Sequence, residues 1–224
     1  MKRLLLSILF YMICLSSFAQ VRVVFVNGHI GLGSPEGGKV YWQKDTSFIG
    51  VTLKALHGTV TPYYTNVQYK SLSSAANREK DGYVYAAAHL SEIIGPTVAP
   101  DTTPCHLRFR FVTHSMGAAF GEGMARCLAD SGFVTDVIVH FEPYQARDIS
   151  TIGENKNVLA IDYQMADDFI LRFGSGGRIK DADQIISGGR SEAPLKKRHR
   201  YPINHSSTWL ELSSIIEHFI QTEN

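Results

Sequence analysis

The residue best placed to do chemistry in this 224-residue chain is Ser115, within Thr113-His114-Ser115-Met116-Gly117. The alternating run Leu107 to Val112 before it reads as a strand. The stretch from about Met116 to Asp130 reads as a helix, stopped by Gly132. A serine at so sharp a strand-to-helix turn projects its hydroxyl above the sheet. Positions two before and two after it must be small, because strand and helix pass close together there. The backbone N–H after the serine and the positive end of the new helix both face a developing oxyanion. The implied chemistry is nucleophilic attack on a carbonyl. Gly117 meets the size requirement, whereas Thr113 is larger than the usual glycine. Ala118, Ala119, Gly121 and Gly123 continue the small-residue run and predict a helix lying close to the sheet. That packing would offset a propensity cost of about 1 kcal/mol per glycine relative to alanine.

A serine needs a base, and the base needs an acid to hold its tautomer. His205, in Tyr201-Pro202-Ile203-Asn204-His205 just ahead of the terminal amphipathic helix, is the expected base. His199 is the nearest rival, but Lys196-Lys197-Arg198-His199-Arg200 reads as a solvated basic loop. His114, next to the nucleophile, is expected to point elsewhere. Asp168, after the strand Val158 to Tyr163, is the expected acid. Asp167 beside it and Glu142, which follows the preceding strand and precedes Pro143, are the alternatives. An oxyanion hole needs two donors: the N–H of Met116, and the N–H of Gly28 or His29 in Asn27-Gly28-His29-Ile30-Gly31. These glycines lack the spacing of a dinucleotide fingerprint. No His, Cys, Asp or Glu spacing suggests a metal site, and the chemistry calls for no cofactor.

The elements that must position these residues alternate. Val21 to Val26 is a strand ending in the glycine-rich loop. Ser34 to Lys44 reads as loop, and a short helix is expected from Asp45 or Thr46 to Leu56. Val60 to Gln68 is a second strand, weakened by Pro62. Ser73 to Ile94 reads as one helix, ended by Gly95-Pro96. Val134 to Phe141 and Val158 to Tyr163 are strands, Phe173 to Arg200 reads as loop, and Thr208 to Gln221 is the closing helix. The alternation predicts an α/β protein with a mostly parallel central sheet and helices on both faces.

Residues 1–19 have the plan of a secretory signal: Lys2-Arg3, the apolar run Leu4 to Leu15, and Ser17-Phe18-Ala19 before a cut. The run is short for a bilayer span, which takes roughly 20 residues. Export to the periplasm or the medium is the expectation, with residues 20–224 as a single domain. Losing Lys2 and Arg3 moves the net charge from +1 to −1. That balance argues against nucleic acid as a partner. Cys105 and Cys127 would then remain, either bridged or as separate thiols.

The order Ser115, acid, His205 is that of the α/β-hydrolase superfamily. The stretches FVNGHIGLG, YW, NREKDGY, FVTHSMGAAFGEGMAR and VIVHFEPYQA resemble lipase-like domains of bacterial proteins, some carried at the ends of RHS-repeat toxins. The resemblance implies a secreted serine hydrolase, a lipase or esterase acting on lipid or small-molecule esters. Leu32 to Trp42 and Phe173 to Leu195 would form an apolar mouth, and Lys196 to Arg200 would meet a membrane surface. A silent binding relative and a phospholipase-type antibacterial effector are the alternatives.

Overall fold

The computed structural model describes residues 20–30, 37–43, 45, 47–70, 73–96, 107–152, 157–168, 170–171, 177–191, 193–200 and 202–222. The expected signal segment and Cys105 lie outside them, as do residues 32–36, 173–176 and 192 of the expected mouth. Cys127 is a buried free thiol. Among the described residues no helix is long and apolar enough to cross a membrane.

Six strands form one parallel sheet: β1 Gln20–Val26, β2 Tyr63–Tyr64, β3 Leu107–His114, β4 Val134–Phe141, β5 Leu159–Met165 and β6 Gln184–Gly188. Their order is β2-β1-β3-β4-β5-β6. The helices are α1 Lys39–Trp42, α2 Phe48–Ala55, α3 Ala75–Ala88, α4 Leu90–Ile94, α5 Gly117–Asp130 and α6 Thr208–Thr222. Strand residues alternate between two cores. Val23, Phe25, Val112, Val139 and Ile161 pack with Trp42, Phe48, Trp209 and Leu212 under α1, α2 and α6. Val24, Val26, Phe109, Phe111 and Ile138 pack with Ile93, Phe120, Met124 and Leu128 under α3, α4 and α5. Strands buried on both faces are what crossover helices require of a parallel sheet. Arg110 is buried too, and its guanidinium is satisfied by Asp136 (2.8 and 2.9 Å) and the Leu56 carbonyl. This sheet order, with helices on both faces and a strand–serine–helix turn, is an α/β-hydrolase fold.

Four elements differ from expectation. The second strand is two residues long, because the chain leaves the ladder at Thr65 to meet the side chain of Asn27. The long helix breaks at His89, whose φ of −112° is not helical. Ser34 to Lys44 contains α1, with Tyr41 and Trp42 buried in the core rather than lining a mouth. Phe173 to Arg200 contains β6 and a 3-10 helix, Leu195–Arg200. Partners distant in sequence shape the second strand and β6, and local periodicity does not report them.

Candidate active site

β1 has β2 on one side and β3 on the other, so the connections diverge between β1 and β3. Ligands of open α/β sheets bind at the carboxyl ends of the strands where the order reverses in this way. Gly28 follows β1 and Ser115 follows β3, so both stand at that crevice.

Ser115 has a φ of 54°. A non-glycine residue in the left-handed region costs about 1–3 kcal/mol and persists only where its surroundings over-determine it. Here three hydrogen bonds do so. Its N–H donates to the Phe141 carbonyl, and its own carbonyl accepts from Ala118 and Tyr144. A Cβ on Gly117 would collide with the Asn27 carbonyl oxygen, which explains the glycine at that position. Thr113 fits because its hydroxyl meets His140 Nδ1 at 2.8 Å, while Gly121 leaves room for its methyl group. Gly123 serves a different neighbour. A side chain there would strike the Glu79 carbonyl on α3, so this glycine sets helix-to-helix packing, not helix-to-sheet packing.

The imidazole beside Asp168 belongs to His199. Its Nδ1 lies 2.5 Å from Asp168 Oδ2, and both side chains are largely buried. His205 is exposed and bonds Ser207 Oγ at 3.0 Å. The structure therefore does not place His205 against the acid, contrary to expectation. The segment read as a solvated basic loop is a 3-10 helix that turns His199 inward and its charged neighbours aside. Arg198 pairs with Asp167 at 3.0 Å, and Arg200 lies over the Tyr41 ring, 4.7 Å from its centroid. Asp167 also accepts from Ser191 N–H, so it faces away from His199 toward its own partners.

His114 docks this helix on the serine turn. Its Nε2 is 2.9 Å from the His199 carbonyl and its Nδ1 is 2.5 Å from the Tyr41 hydroxyl. A carbonyl can only accept, so Nε2 carries the proton and Tyr41 donates to Nδ1. Burial, with His199 and Arg200 nearby, holds the His114 pKa well below its ordinary value, consistent with this neutral tautomer. Burial likewise pushes the Tyr41 hydroxyl up to about 12, against the pull of Arg200 and the Gly28 N–H.

Asp168 is buried, which alone would raise its pKa. The hydrogen bond and charge of His199, helped by Glu142 and the Ile170 N–H, more than offset this and hold it below the usual value. An ionised Asp168 fixes the proton of His199 on Nδ1. Among the described residues Nε2 of His199 has no hydrogen-bond partner. One atom each of Glu142, Asp168 and His199 lie within 4.8 Å of one another, the spacing of a three-ligand cation site. The 2.5 Å contact within this group is the hydrogen bond between His199 Nδ1 and Asp168 Oδ2.

Asn27 organises the loop after β1. Its amide donates to the carbonyls of Gly28 (2.8 Å) and Val67 (2.7 Å), and its oxygen accepts from Thr65 Oγ1 and Val67 N–H. In a planar trans peptide the next N–H points opposite the carbonyl. Clamping Gly28 C=O toward Asn27 therefore turns the His29 N–H away from it. A Cβ on Gly28 would meet the Tyr41 hydroxyl and His114 Nδ1, so the loop lies tight against both side chains. The roles of His199, His114 and Asn27 lie in contacts between distant segments. Their only sequence signal was their nearness to the serine, the glycine loop and the last helix.

No family model matches this chain, and no curated protein sequence matches it. Among solved structures, a cutinase-like protein from Cryptococcus sp. is 11% identical, with 92% of this chain and 95% of that one covered and a TM-score of 0.43. A YdeN-like hydrolase from Pectobacterium atrosepticum is 10% identical, covering 88% and 96%, with a TM-score of 0.36. YbtT, a type II thioesterase of the yersiniabactin pathway, is 12% identical, covering 92% and 95%, also at 0.36.

Proposed function

We propose that this chain is an exported serine hydrolase that cleaves carboxylic esters, lipid esters foremost, with Ser115 as nucleophile, His199 as base and Asp168 as acid. The observation that carries the reading is the left-handed Ser115 at the end of β3, with the buried His199–Asp168 pair docked against it through His114.

In this reading, Nε2 of His199 takes the Ser115 proton as the serine oxygen attacks the ester carbonyl. The negative charge on the carbonyl oxygen is met by the N–H groups of Met116 and His29. His199 returns the proton to the departing alcohol, leaving an acyl-serine. Water, deprotonated by His199, attacks the acyl carbon, and the carboxylic acid leaves as Ser115 regains its proton. Asp168 stays ionised throughout and stabilises the imidazolium. Of the two loop amides expected to serve the oxyanion, His29 is preferred because the clamp on the Gly28 carbonyl turns the His29 N–H away from Asn27.

Labelling with a fluorophosphonate probe tests the nucleophile. Wild type should label, and Ser115→Ala should not. Labelling that survives in Ser115→Ala ends the reading. Short-chain, long-chain and phospholipid esters compared side by side then place the substrate. Preference for long chains supports the lipid assignment, and exclusive cleavage of short soluble esters rejects it.

A further inference from the structure

Glu142 sits in the same buried space as Asp168. It follows β4 directly, with a φ of 49°, an uncommon conformation for a side chain of this length. Two hydrogen bonds hold it there. Its N–H donates to the Tyr163 carbonyl at 2.9 Å, and its Oε1 accepts from Met165 N–H at 2.7 Å. Its other oxygen, Oε2, is buried and receives no N–H or hydroxyl hydrogen. It shares this space with the Asp168 carboxylate and the His199 imidazole, and Asp162 is a further carboxylate close by.

Two carboxyl groups in one buried site cannot both ionise, so the pair keeps a proton. The donors decide which group has it. Asp168 receives one hydrogen bond on each oxygen, from Ile170 N–H at 2.9 Å and from His199 Nδ1 at 2.5 Å. Glu142 receives only the one from Met165. The charge therefore rests on Asp168. A proton on Glu142 gives its otherwise unpartnered oxygen a use, as a donor.

We infer that Glu142 is a positioning residue, a neutral acid that donates its Oε2 proton to Asp168 and fixes the carboxylate that orients His199. Its role then differs from that of the alternative acid the sequence suggested. It acts through Asp168 without replacing it. Burial, followed by the charge and hydrogen bond of Asp168, raises the Glu142 pKa well above the ordinary value, in keeping with this arrangement. The inference rests on the proposed hydrolase reading for its catalytic part only; the location of the proton stands apart from it.

Glu142→Gln keeps a carbonyl for Met165 and an N–H for Asp168, whereas Glu142→Leu keeps neither. Glu142→Gln should retain kcat within about threefold of wild type, and Glu142→Leu should lose about tenfold with KM held. The acid limb of kcat/KM should not move in Glu142→Gln. A Gln variant as impaired as the Leu variant, or a shifted acid limb, would mean that Glu142 carries charge and overturns the inference. So would a fully active Leu variant. Infrared difference spectroscopy of the folded protein gives a second readout that needs no turnover. A protonated carboxyl C=O band present at neutral pH should vanish in Glu142→Gln. If no band is lost, the inference fails even where wild type labels with fluorophosphonate. If the band is lost but wild type does not label, the proton is where we place it and the hydrolase reading fails.

Discussion

Among the described residues two histidines are buried against carboxylates, and their surroundings differ in how many ring nitrogens they engage. His140, on β4, is wholly enclosed. Nδ1 meets Thr113 Oγ1 at 2.8 Å and Nε2 meets Glu122 at 2.9 Å. Glu122 in turn accepts from Ile152 N–H at 2.8 Å. Both ring nitrogens are used, and the pair ties β3, β4, α5 and the segment after β4 into one core. His199 lies on a short helix beyond the sheet. Only its Nδ1 is engaged, and the ring keeps about a tenth of its surface exposed. A histidine–carboxylate pair is thus saturated in one place and left with an open ring nitrogen in the other. An imidazole can move protons only where one nitrogen remains available. The contrast also accounts for Thr113 where a glycine is usual, because its hydroxyl completes the saturated pair.

Several substitutions would break or sharpen this contrast. The largest effect is expected at the open pair. Ser115→Ala and His199→Ala should each lower kcat on the order of 10⁴- to 10⁶-fold, and Ser115→Ala should leave the melting temperature little changed. Asp168→Asn should fall near the lower end of that range, while Asp167→Asn, outside the pair, should stay active. An active His199→Ala enzyme would mean that both pairs are structural. At the closed pair the damage should be to folding. His140→Ala strands Glu122 in the core and should cost about 3–5 kcal/mol, which calorimetry would read as a fall of roughly 10 °C in melting temperature.

Smaller effects follow from the packing and protonation around the two pairs. Gly123→Ala pushes α5 off α3 and should destabilise by about 1–3 kcal/mol in urea unfolding. His114 is buried in its neutral form, with a pKa below its ordinary 6.5. Its contribution is complete above that value and is lost as the pH falls below it, because the unfolded chain then binds the proton first. Wild type should lose up to about 1.4 kcal/mol per pH unit below 6.5 relative to His114→Asn. Parallel acid-unfolding curves for the two proteins would show that His114 is not held neutral. The smallest effect is expected at the exposed His205, where alanine should change stability by under about 0.5 kcal/mol and leave ester cleavage intact. An inactive His205→Ala would return the base to that residue.

Much of this was legible before any coordinates. The strand–serine–helix turn, five of the six strands and the closing helix follow from apolar periodicity and glycine placement. Asp168, which the structure pairs with an imidazole, was already the preferred acid. The choice between His199 and His205 was not legible. A cluster of four cations reads as solvent-exposed on composition, and only the partners supplied by Asp167, Tyr41 and His114 let His199 turn inward among them. Strand β6 was missed for a related reason. Three of its five residues are exposed at a sheet edge, so it carries little apolar periodicity.

The sequence by itself determined the alternation of strands and helices, and with it the parallel sheet and the turn that carries Ser115. These depend on contacts a few residues apart, where periodicity, turn chemistry and small side chains act directly. Only the tertiary structure decided which histidine meets the acid and which second carboxyl group lies beside that acid. Those outcomes depend on burial and on donors brought from segments tens of residues away. A local pattern carries no information about which charged groups will find partners inside the protein.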